Sequence, residues 1–244
     1  MMILVAHGTR SSAGVQTVET LRAAVAARIG TVRTAYVDVL GPNPTHVLRQ
    51  VPGPAVVVPA FLSSGYHVRA DLPARIAESR HRDVILTPAL GPDPVLAAVM
   101  RDRLGEAGWR HGDAVVMAAA GSTDPRARRE LHWAAALLAR HVGDVAVGFT
   151  ATGPPSVREV VRMLRVGGRR RVFIAPYLLA PGLFHERLHD CGAAAVAAPI
   201  GAHPAVVELL ISRRFSPRPT FGSESACNGR QNVGADLEGV AEVA

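Results

Sequence analysis

The chain repeats itself once, and this limits its possible folds more than any other feature. Met2-Ile3-Leu4-Val5-Ala6-His7-Gly8-Thr9-Arg10 returns as Val115-Val116-Met117-Ala118-Ala119-Ala120-Gly121-Ser122-Thr123. Pro59-Ala60-Phe61-Leu62-Ser63-Ser64-Gly65 returns as Pro176-Tyr177-Leu178-Leu179-Ala180-Pro181-Gly182, and Leu90-Gly91-Pro92-Asp93-Pro94 as Ile200-Gly201-Ala202-His203-Pro204. The copies lie roughly 110 to 117 residues apart, far longer than a solenoid period, so a whole lobe is duplicated.

Within the first copy, short Val/Ile/Leu runs near 2–6, 33–39, 55–60 and 83–87 alternate with helical stretches near 13–29, 44–51, 70–79 and 93–107. That alternation predicts a four-stranded parallel sheet flanked by helices in each lobe, an α/β fold with right-handed crossovers. The lobes are expected over 1–110 and 111–215, with the functional cleft between them. Residues 216–244 carry no sustained periodicity and are expected to form a mobile tail.

Composition narrows the function class. No apolar run approaches the roughly 20 residues of a membrane span, and the N-terminus enters strand-like sequence without the regions of a signal peptide. A cytoplasmic location is therefore expected, with no membrane partner. Cys191 and Cys227, the only cysteines, have no ligand spacing and imply neither a disulfide framework nor a thiolate site. All 27 basic residues are arginine and the net charge is +7. Scattered guanidinium groups suit carboxylate or phosphate ligands, whereas nucleic acid would call for a concentrated basic run with stacking aromatics, and aromatic residues are only 5%.

The chemistry is concentrated at strand ends. His7 ends the first apolar run and His67 follows the third, with Asp38 near the end of the second. Ligands of open α/β sheets bind beyond the carboxyl ends of the strands. Two imidazoles and a carboxylate converging there suit Fe(II), Co(II), Ni(II) or Zn(II) better than harder ions. In the second copy Ala120 replaces His7, and the position of Asp38 falls near Gly148 or Thr150, so the metal set is confined to the first lobe. His185 lies one residue beyond the counterpart of His67. It forms an i, i+4 pair with His189, whereas His46, His81, His111, His132 and His141 read as solvated helix ends and turns.

With His-Gly-Thr-Arg after the first strand, Phe61-Leu62-Ser63-Ser64-Gly65-Tyr66-His67-Val68-Arg69-Ala70-Asp71-Leu72-Pro73 after the third, and a duplicated lobe, the chain resembles the sirohydrochlorin chelatases over about residues 2–214. That resemblance implies an ATP-independent enzyme placing Fe2+, Co2+ or, in some members, Ni2+ into a tetrapyrrole, for sirohaem or cobalamin synthesis. It implies His7 and His67 as catalytic metal ligands and Asp38 as a third, although the family commonly has glutamate there. No permanent cofactor is implied, because the ion is a substrate. Substrate contacts are expected from Arg10, Ser63, Ser64, Gly65 and Arg69 on one wall, and from Arg126, Arg128, His185 and Arg187 on the other. The expected assembly is a monomer or homodimer.

Two other readings remain distinct. A non-catalytic metal or tetrapyrrole carrier would need the same histidines. A histidine phosphatase would need arginine directly before the first histidine, where Ala6 stands.

Overall fold

The computed structural model describes residues 1–216, so the tail expected over 216–244 lies, apart from Ser216, outside the described residues. The first lobe runs β1 (Met2–Ala6), α1 (Ser12–Ile29), β2 (Val32–Tyr36), α2 (Pro44–Arg49), β3 (Ala55–Pro59), a π-helical turn (His67–Asp71), α3 (Leu72–Ser79), β4 (Val84–Leu86) and α4 (Pro94–Glu106). The second runs β5 (Ala114–Gly121), α5 (Pro125–Val142), β6 (Val145–Thr152), α6 (Val157–Val166), β7 (Val172–Tyr177), α7 (Leu183–Glu186), β8 (Ala195–Val196) and α8 (Pro204–Arg213).

Each lobe has a four-stranded parallel sheet, ordered β2-β1-β3-β4 and β6-β5-β7-β8. From β1 the chain moves outward to β2, then returns past β1 to β3 and on to β4. Connections leaving β1 and β3 thus diverge, which opens a crevice at the carboxyl ends of these neighbours, the topological switch point. His7 and the 61–67 segment both begin there. In the second lobe the same crevice falls between β5 and β7.

Alternation along the central strands partitions the core. Met2, Leu4 and Ala6 pack with Val18, Leu21 and Val25 of α1 and with Leu96 and Met100 of α4, while Ile3 and Val5 face Val47, Leu48 and Leu72 on the other side. In the second lobe Val115, Met117 and Ala119 join the first of these clusters, and Val116 and Ala118 pack against Val157, Val160 and Val161 of α6. The inner faces of both sheets therefore share one core through α1, α4, α5 and α8. The lobes are separate as sheets and continuous as packing.

The duplication extends to atomic detail. Gly30 and Gly143 end α1 and α5 with nearly identical backbone angles, φ 86° and ψ −146° against φ 85° and ψ −148°. Gly8 and Gly121 both take positive φ, and a Cβ on either would run into the carbonyl oxygen of Asp38 or Thr152 respectively. Thr152 therefore supplies the backbone group corresponding to Asp38, rather than Gly148 or Thr150. One residue of the difference comes from the shift of register of β5 against β6 between Ala119 and Gly121.

Equivalent parts of the lobes also exchange contacts. Arg213 of α8 donates to the Leu90 carbonyl at 3.1 Å and pairs with Asp93 at 2.8 Å, while Arg103 of α4 reaches the Ile200 carbonyl at 3.4 Å. Tyr177 at the end of β7 donates to the Leu62 carbonyl at 2.8 Å. Gly91 lies against that contact, where a Cβ would strike the Tyr177 hydroxyl and the Leu62 carbonyl. The carboxyl ends of the two sheets are thus held facing one another.

Candidate functional site

His7 emerges from β1 exposed, and His67 opens the π-helical turn after β3 half-buried. Their ring centres are 5.0 Å apart with planes at 85°. An ion about 2.1 Å from one nitrogen of each ring, at a near-tetrahedral angle, would hold the centres about 5 Å apart. The pair therefore stands at a separation that one ion can bridge. Phe61 lies beside both, 6.4 Å from His7 and 6.1 Å from His67, and Tyr66 meets His67 edge-on at 5.8 Å.

The π-helical turn has a local cause. Pro73 has no N–H to donate to the Arg69 carbonyl, so an ordinary α ladder cannot run through this point. The Leu72 N–H reaches instead to His67, one residue farther back. Asp71 then lies 3.0 Å from His67 Nδ1 through Oδ2, and receives Arg75 Nε at 2.7 Å on Oδ1. Arg75 also donates to the Val37 carbonyl at 3.0 Å, next to Asp38. Burial pushes the Asp71 carboxyl up, but the hydrogen bonds from His67 and Arg75 and the charge of Arg75 outweigh it and hold it below the usual range. Asp71 belongs to the segment that carries the resemblance but was not among the expected site residues. The i, i+4, i+8 spacing of His67, Asp71 and Arg75 is the signal that could have found it.

Asp38 differs from its expected place. β2 ends at Tyr36, so Asp38 lies in the following turn, its N–H donating to the His7 carbonyl at 3.0 Å. Its carboxylate accepts from the Val39 N–H at 2.8 Å, and Val39 takes a left-handed φ of 63°. The turn brings Asp38 beside His7 through the backbone, while its side chain caps the turn. Among the described residues, no three His, Cys, Asp or Glu side chains are grouped as a ligand set.

Contacts from the second lobe close one side of the crevice. Arg69 pairs with Asp124, the N-cap of α5, and the Ser64 N–H donates to Glu130 of the same helix. In return, Gly182 of the loop before α7 lies against Thr9 and Ser11, the latter the N-cap of α1. Arg69, expected as a substrate contact, has its guanidinium paired with a carboxylate across the junction. Ser63, Ser64 and Gly65 remain half-buried in the loop between β3 and His67, and the Gly65 carbonyl receives the N–H groups of Val68 and Arg69. Arg10, Arg126 and Arg187 are exposed, and no carboxylate pairs with them among the described residues. Arg128 sits over the Phe149 ring at 5.6 Å. His185 packs edge-on against His189 at 5.1 Å and meets the Ala197 carbonyl at 3.2 Å through Nε2; burial pushes its pKa down. A cavity of about 590 Å³ lies elsewhere, along the outer edge of β2 between Glu19, Arg33 and Tyr36, and none of the expected site residues lines it.

A family model described as CbiX matches residues 1–107 and again residues 114–216, once over each lobe. The chain belongs to the CbiX family. Among curated relatives, the sirohydrochlorin ferrochelatase of Priestia megaterium is 25% identical over 142 residues, covering 55% of this chain and 53% of that protein. The sirohydrochlorin cobaltochelatase of the same organism is 26% identical over 146 residues, covering 55% and 48%. The matched region is thus about half the length of these relatives. The solved structure of SirB from Bacillus subtilis with Fe3+ superposes with a TM-score of 0.74 at 23% identity, covering 87% of this chain and 92% of that one, a likeness of fold. This CbiX-family chain therefore shares its two-sheet architecture with a protein whose structure contains a bound metal ion.

Proposed function

We propose that this chain inserts a divalent ion, Fe2+ or Co2+, into sirohydrochlorin, on the way to sirohaem or a cobalamin precursor. The observation that carries this reading is the pair of imidazoles, 5.0 Å apart at the switch-point crevice and open to solvent through His7. The ion is a substrate, so its holder must also release it. Two nitrogen donors leave coordination positions open for water and then for the tetrapyrrole nitrogens, whereas a closed four-ligand set would retain the ion. As the ion enters, two pyrrole N–H protons leave, and a neutral imidazole is a suitable acceptor near neutral pH.

The surroundings fit a flat, carboxylate-rimmed ligand. Among the described residues the guanidinium groups of Arg10, Arg126 and Arg187 meet no carboxylate, and each can hold one of the ligand's. Tyr66, 68% exposed, and Leu183, 57% exposed, offer apolar surface from the loops after β3 and β7. In this reading Asp38 supports the His7 loop through Oδ1, which accepts from the Val39 N–H, and its second oxygen is left to meet the ion.

The test is an anaerobic mixture of protein, sirohydrochlorin and either Fe2+ or Co2+, followed by the change in the tetrapyrrole absorption spectrum. A rate well above the spontaneous one is expected with at least one ion. A rate equal to the spontaneous one, with metal or tetrapyrrole still bound, would mark the chain as a carrier.

A further inference from the structure

The hydrogen bonds behind His67 point to a residue that the reading above does not use. A ligating imidazole needs one nitrogen free of hydrogen, and which nitrogen that is depends on what the other one meets. His67 Nδ1 lies 3.0 Å from Asp71 Oδ2, and the other oxygen of that carboxylate is occupied by Arg75 Nε at 2.7 Å. Arg75 is itself fixed, its guanidinium on the Val37 carbonyl at 3.0 Å and its own carbonyl accepting from Thr45 Oγ1 at 3.1 Å. Asp71 is only 15% exposed at its side chain, so solvent offers little competition for its oxygens. An ionised carboxylate can only accept, and the imidazole nitrogen facing it must therefore carry the hydrogen.

We propose that Asp71 is a positioning residue for His67, holding the ring in the Nδ1–H form so that Nε2 is the nitrogen presented to the metal shared with His7. The proposal rests on the chelatase reading for the role of the metal, but the tautomer is a property of the metal-free chain. Arg75 extends the arrangement to the end of β2, so the turn bearing Asp38 and the ring of His67 are held to one frame. Among the described residues His7 has no such support: its Nδ1 meets only the Gly8 carbonyl, at 3.3 Å, and its ring is exposed. The two ligands thereby differ, one oriented in advance and one free to follow the ion.

The experiment uses the full chain with 15N-labelled histidine and no metal, at a pH where the rings are neutral. Long-range proton–nitrogen correlation spectra identify the tautomer, and His67→Gln assigns the signal. His67 is expected as the Nδ1–H form. In Asp71→Asn, whose carboxamide can donate, His67 is expected to shift toward Nε2–H, and Co2+ affinity measured by titration should fall about tenfold or more. Arg75→Gln should give a smaller change in both.

A neutral Nε2–H form in the parent chain would overturn the proposal, as would Asp71→Asn leaving both tautomer and Co2+ affinity unchanged. A purely structural Asp71 would lower the melting temperature without moving the tautomer. Should Asp71→Asn fail to fold, the parent spectrum still decides. Should the parent bind no Co2+, the chelatase reading fails while the tautomer result stands.

Discussion

At the scale of single residues, side chains of the same type play different parts according to what the fold places beside them. Asp38 and Asp71 both lie near the imidazoles, yet Asp38 caps its own turn while Asp71 stands behind His67. Asp38→Ala is therefore expected to lower the chelation rate by less than about threefold, well below the effect of losing a ligand. Unchanged activity across a Co2+ titration would remove Asp38 from the site altogether. His185 leads to a pH prediction. Burial holds its folded pKa below the ordinary value, so the unfolded chain binds the proton more readily. Stability from the neutral ring is present above about pH 6.5 and is lost as pH falls through that value toward the folded pKa. Thermal melts between pH 7.5 and pH 5 should show this loss, and His185→Gln should reduce the slope.

Arg69 shows why part of the site could not be read from the sequence. Its position two residues after His67 made it a natural contact for substrate carboxylates, but its partner Asp124 is 55 residues away and on the other lobe. Only the assembled junction reveals that pairing. The placement of His7 and His67 beyond the ends of β1 and β3, by contrast, was legible because apolar runs ending in polar residues mark where strands release the chain.

At the scale of elements, the existence of the strands and their parallel direction were legible from alternation and repetition, whereas their order in the sheet and their ends were not. The run 33–39 reads as one strand because Val37 and Val39 continue its apolar pattern, yet β2 stops at Tyr36 and Val39 is left-handed. The π-helical turn left no periodic signal, although Pro73 was its visible cause. Gly8 and Gly121 test the turns themselves. Alanine at either meets both an unfavourable φ and a backbone carbonyl, costing about 1–3 kcal/mol. Calorimetry should show similar losses for Gly8→Ala and Gly121→Ala, roughly 2–12 °C in Tm. Only Gly8→Ala should also weaken Co2+ binding, because only its turn adjoins a site histidine. Equal effects on binding would mean that the second lobe takes part in holding the ion.

At the scale of the whole molecule, the duplication was plain in the sequence, but the sharing of one core was not. Periodicity reports which face of an element is apolar and is silent on which partner covers it. Because residues from both sheets belong to one cluster, the two lobes should unfold in a single calorimetric transition. Arg213→Ala removes the half-buried partner of Asp93 and the contact to Leu90, and should destabilise the chain by about 2 kcal/mol or more. Two separated transitions in that variant would show that the junction, rather than the common core, couples the lobes.

Contacts between the lobes also close one side of the crevice in which the two imidazoles meet, and their joint action is the centre of the account. The most direct measurement is the initial rate of Co2+ insertion into sirohydrochlorin by the parent, by His7→Ala, by His67→Ala and by the double variant, with far-ultraviolet circular dichroism confirming the fold. Each single variant should lose at least about tenfold, and the double variant should lose scarcely more than the worse single one, because ligands of one ion act as a unit. Parent-like rates in the double variant would contradict the account and place the chemistry away from the switch-point crevice.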